Sequence, residues 1–327
     1  MSTTRVAAAA VILEAELGGR LRHEVPLAPL TTYRVGGAAR LFVEATSLED
    51  LAAVASARRS TGVPVLVIGR GSNMLVADRG FDGVVVSIAG FADHICLPDP
   101  STDSGDERIV VAGGAVSLPV LARRTAAAGI AGFEWAVGVP GSIGGAVRMN
   151  AGGHGSDMAS CLVEIRVFDL DHGPNSLGAD QLGLRFRASS LPPAAVVLDA
   201  VLRLRAGDRD RSEAEIAEIV RWRREHQPGG QNCGSVFVNP VPGEVTAGGL
   251  IDEAGLRGFA IGSASVSDKH ANFVQASEGG TAADVRAVIE QVRDVVAART
   301  GYRLRSEVRL VGFDDADPSS FDDEVSA

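Results

Sequence analysis

Two glycine-rich stretches are the parts of this chain best suited to hold a ligand. Seven of the eighteen residues from Gly138 to Gly155 are glycine, a density that loses much conformational entropy on ordering and persists where backbone turns tightly or touches something closely. The run also carries Ile143, Val147 and Met149, which want burial. A ligand laid against bare peptide groups explains it best; tight turns inside a large α/β domain are the plainer reading. The second stretch, Gly69-Arg70-Gly71-Ser72-Asn73, follows the apolar run Val65–Ile68. A strand entering GxGS can aim consecutive N–H groups at an anion. A dinucleotide fold of the usual kind would open a helix here, but Met74, Leu75 and Val76 read as extended. Two such loops suit a long, bent ligand with a central pyrophosphate, and FAD is the commonest candidate.

Three polar residues stand out by their setting. Arg187 lies in Leu184–Leu191, just before Pro192-Pro193; a solvated surface arginine is the plainer reading. Ser235 follows Gly234 and opens the apolar Val236-Phe237-Val238, where a structural serine at the start of a buried strand is the plainer reading. Glu307 alternates with Arg303, Arg305 and Arg309, as a salt-bridged strand carboxylate would. His154, in Gly-Gly-His-Gly, could contact a flavin or cap a turn, and His270 could line a polar pocket. Six scattered histidines without metal-ligand spacing argue against a metal site.

The elements that must position these residues are legible. Ser47 caps a helix to about Ser60, with Asp50 at its third position and Gly62 as terminator. Strands are expected at Val63–Ile68, Gly83–Ile88, Ile109–Ala112, Cys161–Leu170, Ala195–Arg205 and Arg303–Leu310. Further helices are expected near the N-terminus, with Leu13, Leu17 and Leu21 on one side, then at Ser117–Ala128, Arg211–Glu225 and Thr281–Arg299. The last has Thr281 and Asp284 as a capping pair and Val285, Val288, Ile289, Val292, Val295 and Val296 along one face.

Composition bounds the rest. The 327 residues can fill two or three domains. A net charge of −10 without a basic block argues against a nucleic-acid partner. The longest early apolar run, Val6–Leu13, is too short to span a bilayer, so a cytoplasmic location without membrane insertion is expected. Cys96, Cys161 and Cys233 are far apart and fit a reducing compartment. The segment Pro98–Glu107 reads as an exposed hairpin loop. Six acids among the last fourteen residues, Asp314, Asp315, Asp317, Asp322, Asp323 and Glu324, read as a solvated, disordered tail.

Together these stretches closely resemble the UDP-N-acetylenolpyruvoylglucosamine reductase family. The match runs in order through Thr31–Gly37, Val67–Leu75, Gly132–Glu134, Gly138–Gly145 and Met149–Gly152. It continues through Phe186-Arg187, Cys233–Phe237, Val266–Phe273 and Glu307–Gly312. Cys-Gly-Ser-Val-Phe and Lys-His-Ala-Asn-Phe point to the subtype with the shorter substrate domain.

The resemblance implies an α+β fold: a two-part FAD-binding unit of the vanillyl-alcohol-oxidase (PCMH) type, followed by a smaller α/β substrate-binding domain. Expected boundaries are an N-terminal helix and extension over 1–30, the FAD-binding domain over 31–207 with a possible division near 92, and the substrate domain over 208–313. An acidic tail over 314–327 completes the chain. The implied reaction is NADPH-dependent reduction of UDP-N-acetylglucosamine enolpyruvate to UDP-N-acetylmuramate in peptidoglycan precursor synthesis. Hydride passes from flavin N5 to C3 and a proton to C2. By motif, Ser235 is the proton donor and Arg187 and Glu307 are the other catalytic positions. Non-covalent FAD is expected on Arg34, Gly69, Arg70, Gly71, Ser72, Asn73, Gly114, Gly138, Pro140, Gly141, Ser142, Gly144, Gly145, Asn150 and Gly152. Substrate is expected on Asn239, Lys269, His270 and Asn272, with NADPH as co-substrate and a monomeric protein.

Two positions depart from the family's habit. Phe186 stands where tyrosine is common, and Arg148 where an aromatic or neutral residue is usual; Arg148 could pair with a phosphate or face solvent. The alternatives are another FAD-dependent oxidase on the same fold, or a non-catalytic flavin- or UDP-sugar-binding regulator.

Overall fold

The computed structural model describes residues 2–99 and 105–313. The acidic tail and the tip of the expected 98–107 loop lie outside the described residues. The chain forms two compact units that interleave in sequence. One comprises Met1–His23, Arg40–Arg70 and Asp82–Arg223; the other comprises Glu24–Ala39, Gly71–Phe81 and Arg224–Ala327. The division expected at 207 is therefore corrected. The helix Arg209–His226 lies mostly in the first unit, because its inner residues Ile216 and Ile219 join that unit's core. Two short early segments belong to the second unit instead.

The first unit has two hydrophobic cores. One gathers Val6, Ala9, Leu13 and Leu17 of the helix Ser2–Leu17 with Leu51, Val54 and Ala55 of the helix Leu48–Thr61. The N-terminal helix is thus an integral core element rather than an extension. Its neighbour is capped as its sequence demands: Ser47 Oγ accepts from the Asp50 amide, and Gly62 ends it at φ 66°. Asp50 turns back to the Thr46 amide rather than to Ser47. These helices cover a sheet of strand order Leu21–Pro26, Ala38–Glu44, Phe81–Ser87, Val65–Val67. The other core lies under a sheet built on the long strand Ala195–Ala206, antiparallel to Leu162–Asp169 on one side and Glu107–Gly113 on the other. It buries Leu118 and Leu121 of the helix Leu118–Ala127 together with Phe133, Trp135 and Ile143.

The second unit packs the helices Ala247–Glu253 and Ala282–Thr300 around a small antiparallel sheet, Ala260–Ile261, Ala264–Val266 and Val274–Ala276. Val285, Val288, Ile289, Val292 and Val296 are buried, and each buried aliphatic side chain is worth roughly 1.5–3 kcal/mol over leaving it in water. Thr281 Oγ1 caps this helix at the Asp284 amide, and Asp78 accepts from the Ala282 and Ala283 amides. The strand expected over Arg303–Leu310 is much shorter. Only Arg309–Val311 is regular, paired in parallel with Met74–Val76. Residues 303–308 run irregularly, bridged to the Ser235 segment through Phe237 and Ser306.

Candidate active site

In the first unit the two glycine stretches meet. The loop after Val65–Val67 brings Gly69 so close to Ser142 that a Cβ there would lie 2.4 Å from the hydroxyl Oγ. The segment Gly138–Gly155 is not all loop, as its composition suggested: Ile143–Met149 is a short helix capped by Ser142 Oγ on the Gly145 amide. Glycine and alanine dominate its first turn, which hides a helix from propensity reasoning.

Several glycines owe their identity to protein contacts rather than to a ligand. A Cβ at Gly114 would lie 2.0 Å from the Val197 carbonyl oxygen, one at Gly144 3.2 Å from the Gly114 carbonyl oxygen, and one at Gly152 2.6 Å from the Ser156 carbonyl oxygen. The Gly144 amide donates to Gly114 O at 2.8 Å. At all three positions the protein's own packing already calls for glycine. Gly145, by contrast, has only Ser142 Oγ near its absent Cβ. Ser142 sits opposite Ser117, with Leu118 N bonded to Gly141 O and Ile143 N to Val116 O, so its own amide points away from that neighbour. An outward amide, a hydroxyl and bare glycine backbone beside Gly69 form a donor set that fits a phosphate-bearing cofactor.

The end of the same run builds the setting of Arg187. Residues 185–188 form a two-residue turn closed by reciprocal 3.0 Å bonds between Arg185 and Ala188. Arg187 takes a left-handed φ of 56°, a strained conformation for a side-chain-bearing residue and one often kept at functional positions. Its guanidinium stacks on the exposed Phe186 ring at 5.1 Å. Asn150 braces the turn: its Nδ2 donates to Arg185 O and Asp157 Oδ2, and its Oδ1 accepts from the Ala159 amide. Only 4% exposed, the Asn150 side chain is a structural brace of this turn. Arg148 is engaged by the protein itself. Its guanidinium donates to the carbonyls of Leu191, Pro192 and Ala195.

The sequence reading passed over Arg223. This guanidinium is half-buried, and burial lowers its pKa. The nearby His154, edge-on to the Trp222 ring at 5.4 Å, is shifted down by burial first and by the Arg223 charge second. A desolvated arginine in a helix whose other basic residues are exposed is not visible in residue type.

In the second unit the segments carrying Ser235 and Glu307 lie side by side. The Glu307 amide donates to Val236 O at 2.7 Å, and the Val238 amide to Arg305 O at 2.9 Å. Gly234 turns the chain at φ 87°, and Ser235 is partly exposed rather than sealed in a strand. Beneath it Tyr33 and Cys233 are buried, and burial raises both pKa values, the thiol to about 12. Glu307 contributes to the shift at Cys233.

The expected substrate residues divide. Asn272, 4% exposed, accepts the Phe237 amide at 2.9 Å and donates to Phe237 O at 2.8 Å. It is a brace for the Ser235 segment, with both ends of its amide engaged by Phe237. Asn239 Oδ1 accepts the Ala247 amide, Lys269 Nζ donates to Arg224 O, and His270 Nδ1 accepts the Asn272 amide at 3.2 Å. Arg34 is exposed in left-handed backbone, its amide bonded to Thr31 Oγ1.

The comparisons with known proteins agree with this division of labour. Residues 39–173 match the FAD binding domain family. Residues 226–311 match the C-terminal domain of UDP-N-acetylenolpyruvoylglucosamine reductase. The reductase of Heliobacterium modesticaldum is 41% identical over 297 residues, covering 90% of this chain and 91% of its own. That of Gloeobacter violaceus is 40% identical over 90% of this chain and 97% of its own. The crystal structure of the Thermus caldophilus reductase superposes with a TM-score of 0.74 at 32% identity, covering 89% of this chain and 99% of that one. The chain therefore belongs to the UDP-N-acetylenolpyruvoylglucosamine reductase family of FAD-containing oxidoreductases.

Proposed function

We propose that the chain reduces UDP-N-acetylglucosamine enolpyruvate to UDP-N-acetylmuramate with NADPH, as a step of peptidoglycan precursor synthesis. One observation carries the reading: Ser235 and Glu307 ride on segments locked together by the 2.7 Å bond from the Glu307 amide to Val236 O. When bound, FAD supplies a hydride acceptor and donor, reduced by NADPH and oxidised by the enolpyruvyl double bond. Gly69, Arg70, Ser142 and Gly145, with the backbone of Gly71–Asn73, are the residues proposed to hold it.

This chain's own residues then have three tasks. Hydride addition at C3 leaves negative charge on the carboxylate side of C2, an enolate-like species that a fixed cation stabilises strongly in a dry site. Arg187 suits that task, since its guanidinium stays charged and its fork matches a carboxylate. Ser235 Oγ delivers the proton to C2 as general acid. A hydroxyl is a weak acid, so its neighbour must offset the alkoxide charge. Glu307 does so as a protonated carboxyl returning the proton to Ser235. Arg223, a half-buried cation, is proposed to face the anionic part of substrate or NADPH.

Anaerobic spectroscopy tests the reading. NADPH should bleach the flavin band, and UDP-N-acetylglucosamine enolpyruvate should restore it. Reoxidation by oxygen but not by that substrate would favour an oxidase instead.

A further inference from the structure

The parallel pairing of Arg309 with Met74 sets Asn73 opposite Val308, one step before the regular ladder. In a parallel ladder a residue at that place sends its own N–H to the carbonyl before its partner and receives the N–H after it. Asn73 does the second in the ordinary way, its carbonyl accepting the Arg309 amide at 3.0 Å. The first is done by its side chain: Nδ2, not the backbone amide, donates to Glu307 O at 2.8 Å. Asparagine thus clamps both sides of Val308 and releases its own backbone N–H from the ladder. Glu307 is fixed at both ends of its main chain, its amide on Val236 O and its carbonyl on Asn73 Nδ2.

We propose that Asn73 is a positioning residue for Glu307. Its side chain completes the ladder in place of its backbone amide, which leaves that amide to the glycine loop's ligand. The Glu307 main chain is thereby held in register with Asn73. This rests on the proposed role of Glu307. Asn73, expected from sequence among the FAD-binding residues, would serve the cofactor through its backbone amide, its side chain being taken by Glu307 O.

The test is Asn73→Ala, Glu307→Gln and the double variant in the full-length holoenzyme. FAD affinity is read by flavin fluorescence, and the two half-reactions by anaerobic stopped flow across pH. Asn73→Ala should bind FAD and be reduced by NADPH as the parent does. Its reoxidation by UDP-N-acetylglucosamine enolpyruvate should slow roughly ten- to hundredfold, as expected when a reacting group is displaced by about an ångström, and its pH profile should change. In the Glu307→Gln background the same substitution should add little, because residues acting through one group are not additive. Asn73→Asp should resemble Asn73→Ala, since it has no donor for Glu307 O.

Weak FAD binding with normal reoxidation of the loaded fraction would overturn the proposal and make the side chain a cofactor ligand. Full additivity with Glu307→Gln, or equal slowing of both half-reactions, would overturn it as general structural damage. Normal reoxidation in Asn73→Ala with slow reoxidation in Glu307→Gln would sink the positioning role alone. Normal reoxidation in Glu307→Gln would remove the reading of Glu307, and the proposal with it.

Discussion

Asn272→Ala separates a brace from a substrate ligand. In the folded protein the Asn272 amide group satisfies the N–H and the C=O of Phe237, which is itself 2% exposed. Truncation strands both groups where solvent does not reach. Each costs roughly 1–3 kcal/mol when left buried and unpaired, so about 2–6 kcal/mol is lost in all, nearer the lower end if a water enters the gap. At the scale of a domain this size that corresponds to a fall in Tm on the order of 10 °C. Thermal unfolding must be followed at fixed FAD concentration, because a ligand of the native state raises Tm by mass action. Asn272→Asp keeps the acceptor for Phe237 N–H but sets a carboxylate against Phe237 O, so it should be at least as damaging. Activity should fall with stability, since the Ser235 segment loses its tie. An unchanged Tm with a raised KM for the UDP-sugar would refute this reasoning and restore Asn272 as a substrate contact.

Three further outcomes follow from the same geometry. Ser235→Ala should leave flavin reduction by NADPH nearly normal and abolish reoxidation by substrate; a slow NADPH half-reaction would contradict the proton-donor role. The His270 pKa is lowered by burial first and by the Arg257 charge second, partly countered by a backbone hydrogen bond. Neutral Nδ1 also accepts the Asn272 amide. The unfolded chain therefore takes up the proton before the folded one. The contribution of His270 to stability should be complete above the ordinary imidazole value near 6.5 and be lost as pH falls toward the lowered folded value. Urea midpoints of His270→Gln should vary less with pH over that window than those of the parent, and an identical pH dependence would count against it. Gly71→Ala places a Cβ 2.3 Å from Leu30 O and 2.8 Å from Thr31 Cα at a φ of 55°. Backbone must move on both sides, so purified protein should carry less FAD and melt earlier; full flavin content would show that the loop adapts.

Local chemistry made much of the scaffold readable. Ser47 and Thr281 cap the helices they were expected to cap, and Gly62 and Gly301 end them at positive φ. The apolar face of Ala282–Thr300 is buried as its spacing requires. The motifs identified the family, because nine short matches in fixed order are far more specific than any one of them. What failed to read was partnership across the chain. Gly114 and Gly152 looked like ligand contacts, yet each lets one stretch of backbone approach another. Asn150 and Asn272 looked like binding residues, yet both are buried, Asn272 bonded at both ends to the main chain of Phe237 and Asn150 to Arg185 O, the Ala159 amide and Asp157 Oδ2.

The sequence by itself determined the longer helices and the kind of chemistry, since capping and periodicity are local properties; the short helices Ile143–Met149 and Ala247–Glu253 were not among them. The tertiary structure alone decided which residues keep hydrogen-bonding capacity for a ligand. That depends on partners far away in sequence: Asn73 on Glu307, Arg148 on Ala195, Asn272 on Phe237. It also decided that the two units interleave, because which core the short segments 24–39 and 71–81 join is set by residues distant in sequence. Their partners for burial lie beyond residue 223.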